Sequence, residues 1–168
     1  MPTHFAGSDE ERRALDVYIK LQRCAESVAS RALVPVMEAG LTPSQFGVLE
    51  ALYHLGSLTL SQIAEKHLKS RNNFTVVVDN LEKLGMVRRE RDQNDRRVIF
   101  VHLTDTGKQA VETVLPLHVA EIVEIVRALS PEERDALNNL LRCLGKGKPQ
   151  NETGESQEPP LSAVNLTQ

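Results

Sequence analysis

The chain has no tryptophan, and aromatic residues make up only 4% of its 168 positions. Its core must therefore be aliphatic. No apolar run approaches the roughly 20 residues that cross a bilayer, so no membrane partner is expected. The N-terminus carries no apolar signal region. There are only two cysteines, Cys24 and Cys143, and they stand at no metal-ligand spacing. A reducing cytoplasm is the expected compartment. The five histidines (His4, His54, His67, His102 and His118) do not pair at metal-ligand spacing either. A glycine-rich phosphate loop, a zinc motif and a nucleophile with an adjacent base are all missing. These absences point away from an enzyme and predict neither a metal nor an organic cofactor.

What is present centres on residues 58–104. Thr59 and Gln62 form a T-x-x-Q capping pair, which predicts a helix starting at Leu60. Ile63, Ala64, His67 and Leu68 fall on one face of it. So short a helix must pack on something. A second helix is predicted from Ser70, as N-cap, to Gly85, as the residue that ends it. Phe74, Val77, Val78, Leu81 and Leu84 form its inward stripe. The other face opens with Arg71, Asn72, Asn73 and Thr75. In a helix–turn–helix, the first residues of the second helix enter the major groove. There arginine suits guanine and asparagine suits adenine. The plain alternative is a solvated helix face.

Val98 to Leu103 is dense in β-branched and aromatic residues, a strand signal. Residues 86–91 can pair with it across the turn Asp92-Gln93-Asn94-Asp95. Leu58-Thr59-Leu60 can add a short third strand. From 61 to 102 there are nine Lys/Arg against six Asp/Glu, a local +3 in a chain of net charge −3. Such a local excess is the footprint of a polyanion. A solvated charged hairpin is the plain reading, but one less suited to a hairpin that follows a helix pair of this kind.

The run LEKLGMVRRERDQNDRRVIFVHLTDTG, residues 81–107, resembles the wing region of the MarR family of transcriptional regulators. The matching signature is Asp95-x-Arg97, then Leu103-Thr104 and Gly107, preceded by DNLEKLG at 79–85. The likeness extends over residues 14–145. It implies a mostly α protein with a small β-hairpin wing, that is, a winged helix–turn–helix with long N- and C-terminal dimerisation helices. It further implies a homodimeric repressor or activator on a pseudo-palindromic double-stranded DNA operator, often answering to a small ligand or oxidant. On this footing Arg71, Asn72, Asn73 and Thr75 read or anchor in the major groove. Arg97, with Arg96, enters the flanking minor groove, and Asp95 orients the wing. Lys69, Ser70 and Arg88 are phosphate candidates. Some members sense oxidants with a cysteine in the first helix, and Cys24 lies there, with Lys20 at i−4. The family's pocket between dimerising helices and DNA-binding lobe suggests an apolar or aromatic effector near the first, second and long C-terminal helices. A winged-helix module that binds protein instead of DNA is the competing class.

The flanks complete the plan. Residues 1–8 are expected to be disordered. A helical stripe, Leu15, Tyr18, Leu21, Ala25, Val28, Ala32 and Val36, runs to Met37, with Pro35 breaking it near its end. It is longer than a small winged lobe needs, which suits a partner subunit. Thr42-Pro43-Ser44-Gln45 starts the next helix, with Phe46, Val48, Leu49 and Leu52 inward and Gly56 closing it. Thr104 starts a long helical pattern reaching Leu129, with Pro116 inside it expected to kink it. Ser130-Pro131-Glu132-Glu133 starts a last one, with Leu137, Leu140, Leu141 and Leu144 on its stripe and Gly145 at its end. The division is thus 9–40 and 105–145 for dimerisation, 41–104 for the DNA-binding lobe, and 146–168 as a disordered acidic tail.

Overall fold

Side-chain caps set where the helices begin. In the computed structural model, which describes residues 5–66, 71–93, 95 and 97–146 (for 71–73 the backbone), four of the caps among the described residues are reciprocal. Ser8, Thr42, Thr59 and Ser130 each accept from the backbone of the residue three further on. In return the Glu or Gln at that position accepts from the cap's own N–H. These open α1 (Asp9–Ala32), α3 (Pro43–Leu55), α4 (Leu60–Lys66) and α7 (Pro131–Lys146). Pro35 breaks the first helix as the sequence predicts. Lacking an N–H, it falls in the first turn of a separate short helix, α2 (Val34–Glu38). The chain continues through β1 (Leu58–Thr59), α5 (Arg71–Lys83), β2 (Val87–Arg91), β3 (Ile99–Leu103) and α6 (Asp105–Val126).

The three strands form an antiparallel sheet in the order β1-β3-β2. Arg88 stands opposite His102, Arg89 opposite Val101, and Leu58 opposite Val101 on the other edge. One aliphatic core fills the space among α2–α6 and the sheet. Val36, Phe46, Leu49, Ile63, Phe74 and Leu81 are among its buried members. His118 ties α6 to the end of α1: its Nδ1 donates to the Ala32 carbonyl at 2.6 Å, and its ring meets Phe46 edge-on at 5.3 Å. The chain divides into two compact units, Met1–Ala128 and Leu129–Gln168. In the second, α7 by itself is amphipathic, with the stripe Leu137, Leu140, Leu141 and Leu144 exposed.

Three expectations need correcting. Leu84 does not belong to the inward stripe of α5 but is 53% exposed. The helix stops at Lys83, and the chain reverses at Gly85 (φ +70°) in a Schellman motif. Gly85 N–H bonds the Glu82 carbonyl and Met86 N–H the Leu81 carbonyl. Leu84 is thus rotated off the stripe. Gly145 does not end α7, which runs on to Lys146. The end of α6 moves as well: the helix continues through Pro116 and stops at Val126, short of the expected Leu129. Residues 1–4, His67, Leu68, Lys69, Ser70, Asn94, Arg96 and 147–168 lie outside the described residues. The expectations placed on them, including the Ser70 cap and the acidic tail, lie outside them as well.

Candidate nucleic-acid interface

Two elements with polar outer surfaces meet here, α5 and the β2–β3 hairpin, and the sequence explains why each is held. The inner side of α5 is committed to the core through Phe74, Val78 and Leu81, leaving Thr75, Val76 and Asn80 exposed. The C-terminal end of α5 is knotted to the start of α6 by Thr104. Its hydroxyl donates to the Gly85 carbonyl (2.7 Å) and accepts from Gly107 N–H (3.1 Å), and its N–H donates to the Met86 carbonyl (3.1 Å). That crowding explains the glycine at 107. A Cβ there would collide with the Met86 carbonyl oxygen and press on the Leu103 side chain.

The hairpin is fastened to α5 by Arg89. Alternation along β2 turns Val87 and Arg89 inward. The Arg89 guanidinium reaches Asp79 Oδ1 at 2.6 Å and Glu82 Oε2 at 2.9 Å. Its own N–H donates to Glu82 Oε1 at 3.1 Å. The sequence reading counted Arg89 only as wing charge. Two clues were available: its parity with Val87, and the i,i+3 spacing of Asp79 and Glu82 on α5.

Beyond the strands, the wing turn is closed by Asp92 and Asp95. Asp92 Oδ1 accepts from Asp95 N–H (2.8 Å), and Asp95 Oδ1 from Arg97 N–H (2.9 Å). The backbone adds Asp92 N–H to Val98 O and Val98 N–H to Asp95 O. Asp95 therefore shapes the turn that presents Arg97. The exposed Arg97 borders a cleft of about 180 Å³ shared with Thr59, Leu60 and Ser61, which places it beside the start of α4.

Arg88 faces the other way. It pairs with Glu90 on the outer side of the sheet, where Glu90 also lies 3.5 Å from His102 Nε2. The hydrogen bond from Arg88, then the charges of Arg88 and His102, hold the Glu90 carboxyl below its ordinary pKa. Ser57 Oγ and His102 Nδ1 are 2.6 Å apart. This network escaped the sequence reading, although pairing β2 with β3 in register puts His102 directly opposite Arg88. Of the candidate residues, then, the fold brings Thr75, Asp95 and Arg97 to the α5–wing surface, with residues 71–73 in the first turn of α5. Arg88 is set apart from them. Cys24 is exposed on α1. Lys20, its expected neighbour, reaches Asp16 Oδ2 at 2.7 Å.

A short helix followed by a second helix, and a β-hairpin clamped to that second helix, define a winged helix–turn–helix protein. Comparison with known proteins gives the family. The MarR family profile matches residues 41–99. The uncharacterized HTH-type transcriptional regulator YkoM of Bacillus subtilis is 36% identical over 137 residues, 82% of this chain and 89% of its own. The chain belongs to the MarR family. Among solved structures, Sco3205 of Streptomyces coelicolor, a MarR family transcriptional regulator in complex with DNA, is 27% identical with a TM-score of 0.70, over 89% of this chain and 95% of its own. BpsR of Bordetella bronchiseptica, whose DNA binding is regulated by 6-hydroxynicotinic acid, is 25% identical with a TM-score of 0.69, over 88% and 100%.

Proposed function

We propose that this chain is a cytoplasmic transcriptional regulator that binds a two-fold-symmetric double-stranded DNA operator as a homodimer and represses where that operator overlaps a promoter. The observation that carries the reading is the clamp between α5 and the wing. Arg89 fixes the hairpin beside the exposed face of α5, so the helix and Arg97 advance on a duplex as one unit. Arg71, Asn72, Asn73 and Thr75 address the major groove at the start of α5, with Lys69 and Ser70 on the adjoining phosphates. Arg97 and Arg96 reach the flanking minor groove, where width and A·T content are read. Sco3205, in complex with DNA, supports the partner.

The homodimer rests on uncovered apolar side chains. Val17 and Tyr18 on α1, and Leu117, Val119 and Val123 on α6, are exposed. Exposed apolar surface of this extent marks an interface. Effector control rests on a cavity of about 340 Å³ that borders Ala39, Leu41, Met86, Gln109, Thr113 and Val114. Among the described residues no charged side chain lines it, so it suits an uncharged apolar or aromatic ring, whose polar substituents face Thr106, Gln109, Thr113 or the mouth. Because Met86 N–H closes the end of α5, an occupant acts on DNA affinity only through a preference for one placement of that helix.

The test is fluorescence anisotropy of the full chain on genomic duplex fragments across a salt series. Nanomolar binding to a subset of fragments, weakened by Arg71→Ala and Asn73→Ala, is expected. Equal, weak binding to all fragments, or binding indifferent to salt, contradicts the reading.

A further inference from the structure

The inward face of α5 is complete without Val76. Phe74, Val78 and Leu81 are buried and Val77 half-buried, whereas Val76 is 59% exposed. At about 100° per residue, Val76 stands on the side of the helix away from that stripe, one turn after position 72 and one turn before Asn80. A β-branched residue there is a mediocre helix former and buries little in the free protein. Its neighbours are polar: Thr75 and Asn80 are exposed beside it. The nearby carboxylates, Asp79 and Glu82, are both drawn to Arg89, which reduces the negative charge they present beside Val76.

Thymine alone among the four bases offers a methyl group to the major groove, and only an apolar contact recognises it. Arginine and asparagine at the start of α5 have no means of doing so. We propose that Val76 is a specificity-determining residue that packs on the C5 methyl of one thymine in each half-site. This rests on the DNA-binding reading above and adds to it a base identity that the hydrogen bonds of Arg71, Asn72 and Asn73 do not supply.

Deoxyuridine tests it, because it keeps every hydrogen-bonding group of thymidine and lacks only the methyl. The full-length protein is bound to the duplex it selects from a randomised pool. Each thymine is then replaced by deoxyuridine, symmetrically in both half-sites. At one position per half-site, affinity is expected to fall by about fourfold per methyl removed, the equivalent of one buried methyl. Val76→Ala should bind the thymine duplex more weakly and show almost no further loss on deoxyuridine. The position is exposed and alanine favours helix, so an unchanged melting temperature is expected. Tolerance of deoxyuridine at every position by the wild type overturns the proposal while leaving specific DNA binding intact. So does a sensitive position that stays equally sensitive in Val76→Ala. Failure to select any duplex removes the DNA-binding reading itself, and this inference with it.

Discussion

Arg89 and Arg97 sit on the same hairpin, eight positions apart, and carry the same charge to different ends. Arg89 is 23% exposed and spends its donors on Asp79 and Glu82; Arg97 is exposed and held by its backbone bond to Asp95. Losing a phosphate or groove contact flattens the dependence of log K on log salt by about 0.9 per cation. Arg97→Ala should therefore lower affinity on most sequences and flatten the slope by about that amount. Arg89→Gln should lower affinity without flattening it, because no DNA contact is lost while two carboxylates are released. It should also cost about 1–3 kcal/mol of stability, as charged hydrogen bonds go. Anisotropy titrations at several salt concentrations separate the two; a flattened slope for Arg89→Gln would put that side chain on the DNA. Asp95→Ala should act as a milder Arg97→Ala, since it loosens the turn and removes no cation. The sequence could announce Arg97 through the Asp95-x-Arg97 signature. It left Arg89 among the other wing charges because the pairing is between residues in separate elements, visible only once β2 lies across α5.

At the scale of elements, boundaries written in local chemistry were legible. The capping pairs at Thr42, Thr59 and Ser130, the Pro35 break and the Gly85 stop all act over four or five residues, and the structure has each of them. Leu84 was misassigned because helical periodicity does not by itself say on which turn a helix ends. Gly145 was misassigned because glycine ends a helix only where the chain turns left-handed, and it does so at Gly85 but not there. The close approach of α6 to the turn at Met86 was legible only as a signature glycine, and its cause is steric. Gly107→Ala should push α6 off the Met86 turn and cost about 1–3 kcal/mol, as overpacking does. A melting curve indistinguishable from wild type would contradict the close approach. The first turn of α1 carries a pH dependence. The Ser8 backbone N–H, then its hydroxyl, hold the Glu11 carboxyl below its ordinary value of 4.5. A depressed carboxyl stabilises the fold above its unfolded pKa and loses that contribution as pH falls through the folded one. The exchange of amides 9–12, taken relative to its intrinsic rate at each pH, should thus be flat from pH 7 to about 5 and rise only in more acid solution. In Glu11→Gln that acid-dependent rise should be absent; its persistence would assign the effect elsewhere.

For the whole molecule, the proposed function joins the apolar side chains left uncovered on α1 and α6 to the surface of α5 offered to DNA. A single winged lobe grips few base pairs, and a two-fold axis doubles the contact and sets its spacing. The proposed homodimer rests on helices longer than one lobe needs and on the exposed Val17, Tyr18, Leu117 and Val123. Light scattering at micromolar concentration should give twice the 18.7 kDa chain mass; a monomer would leave that surface unexplained. The most direct measurement is selection of bound duplexes from a fully randomised pool by the full-length protein. The expected result is one inverted repeat whose half-sites are centred about 10 base pairs, roughly 34 Å, apart, and which Arg71→Ala and Asn73→Ala relax at defined positions in both halves. Enrichment of no motif, or of a single unrepeated half-site bound by a monomer, would contradict a homodimer that reads DNA through α5.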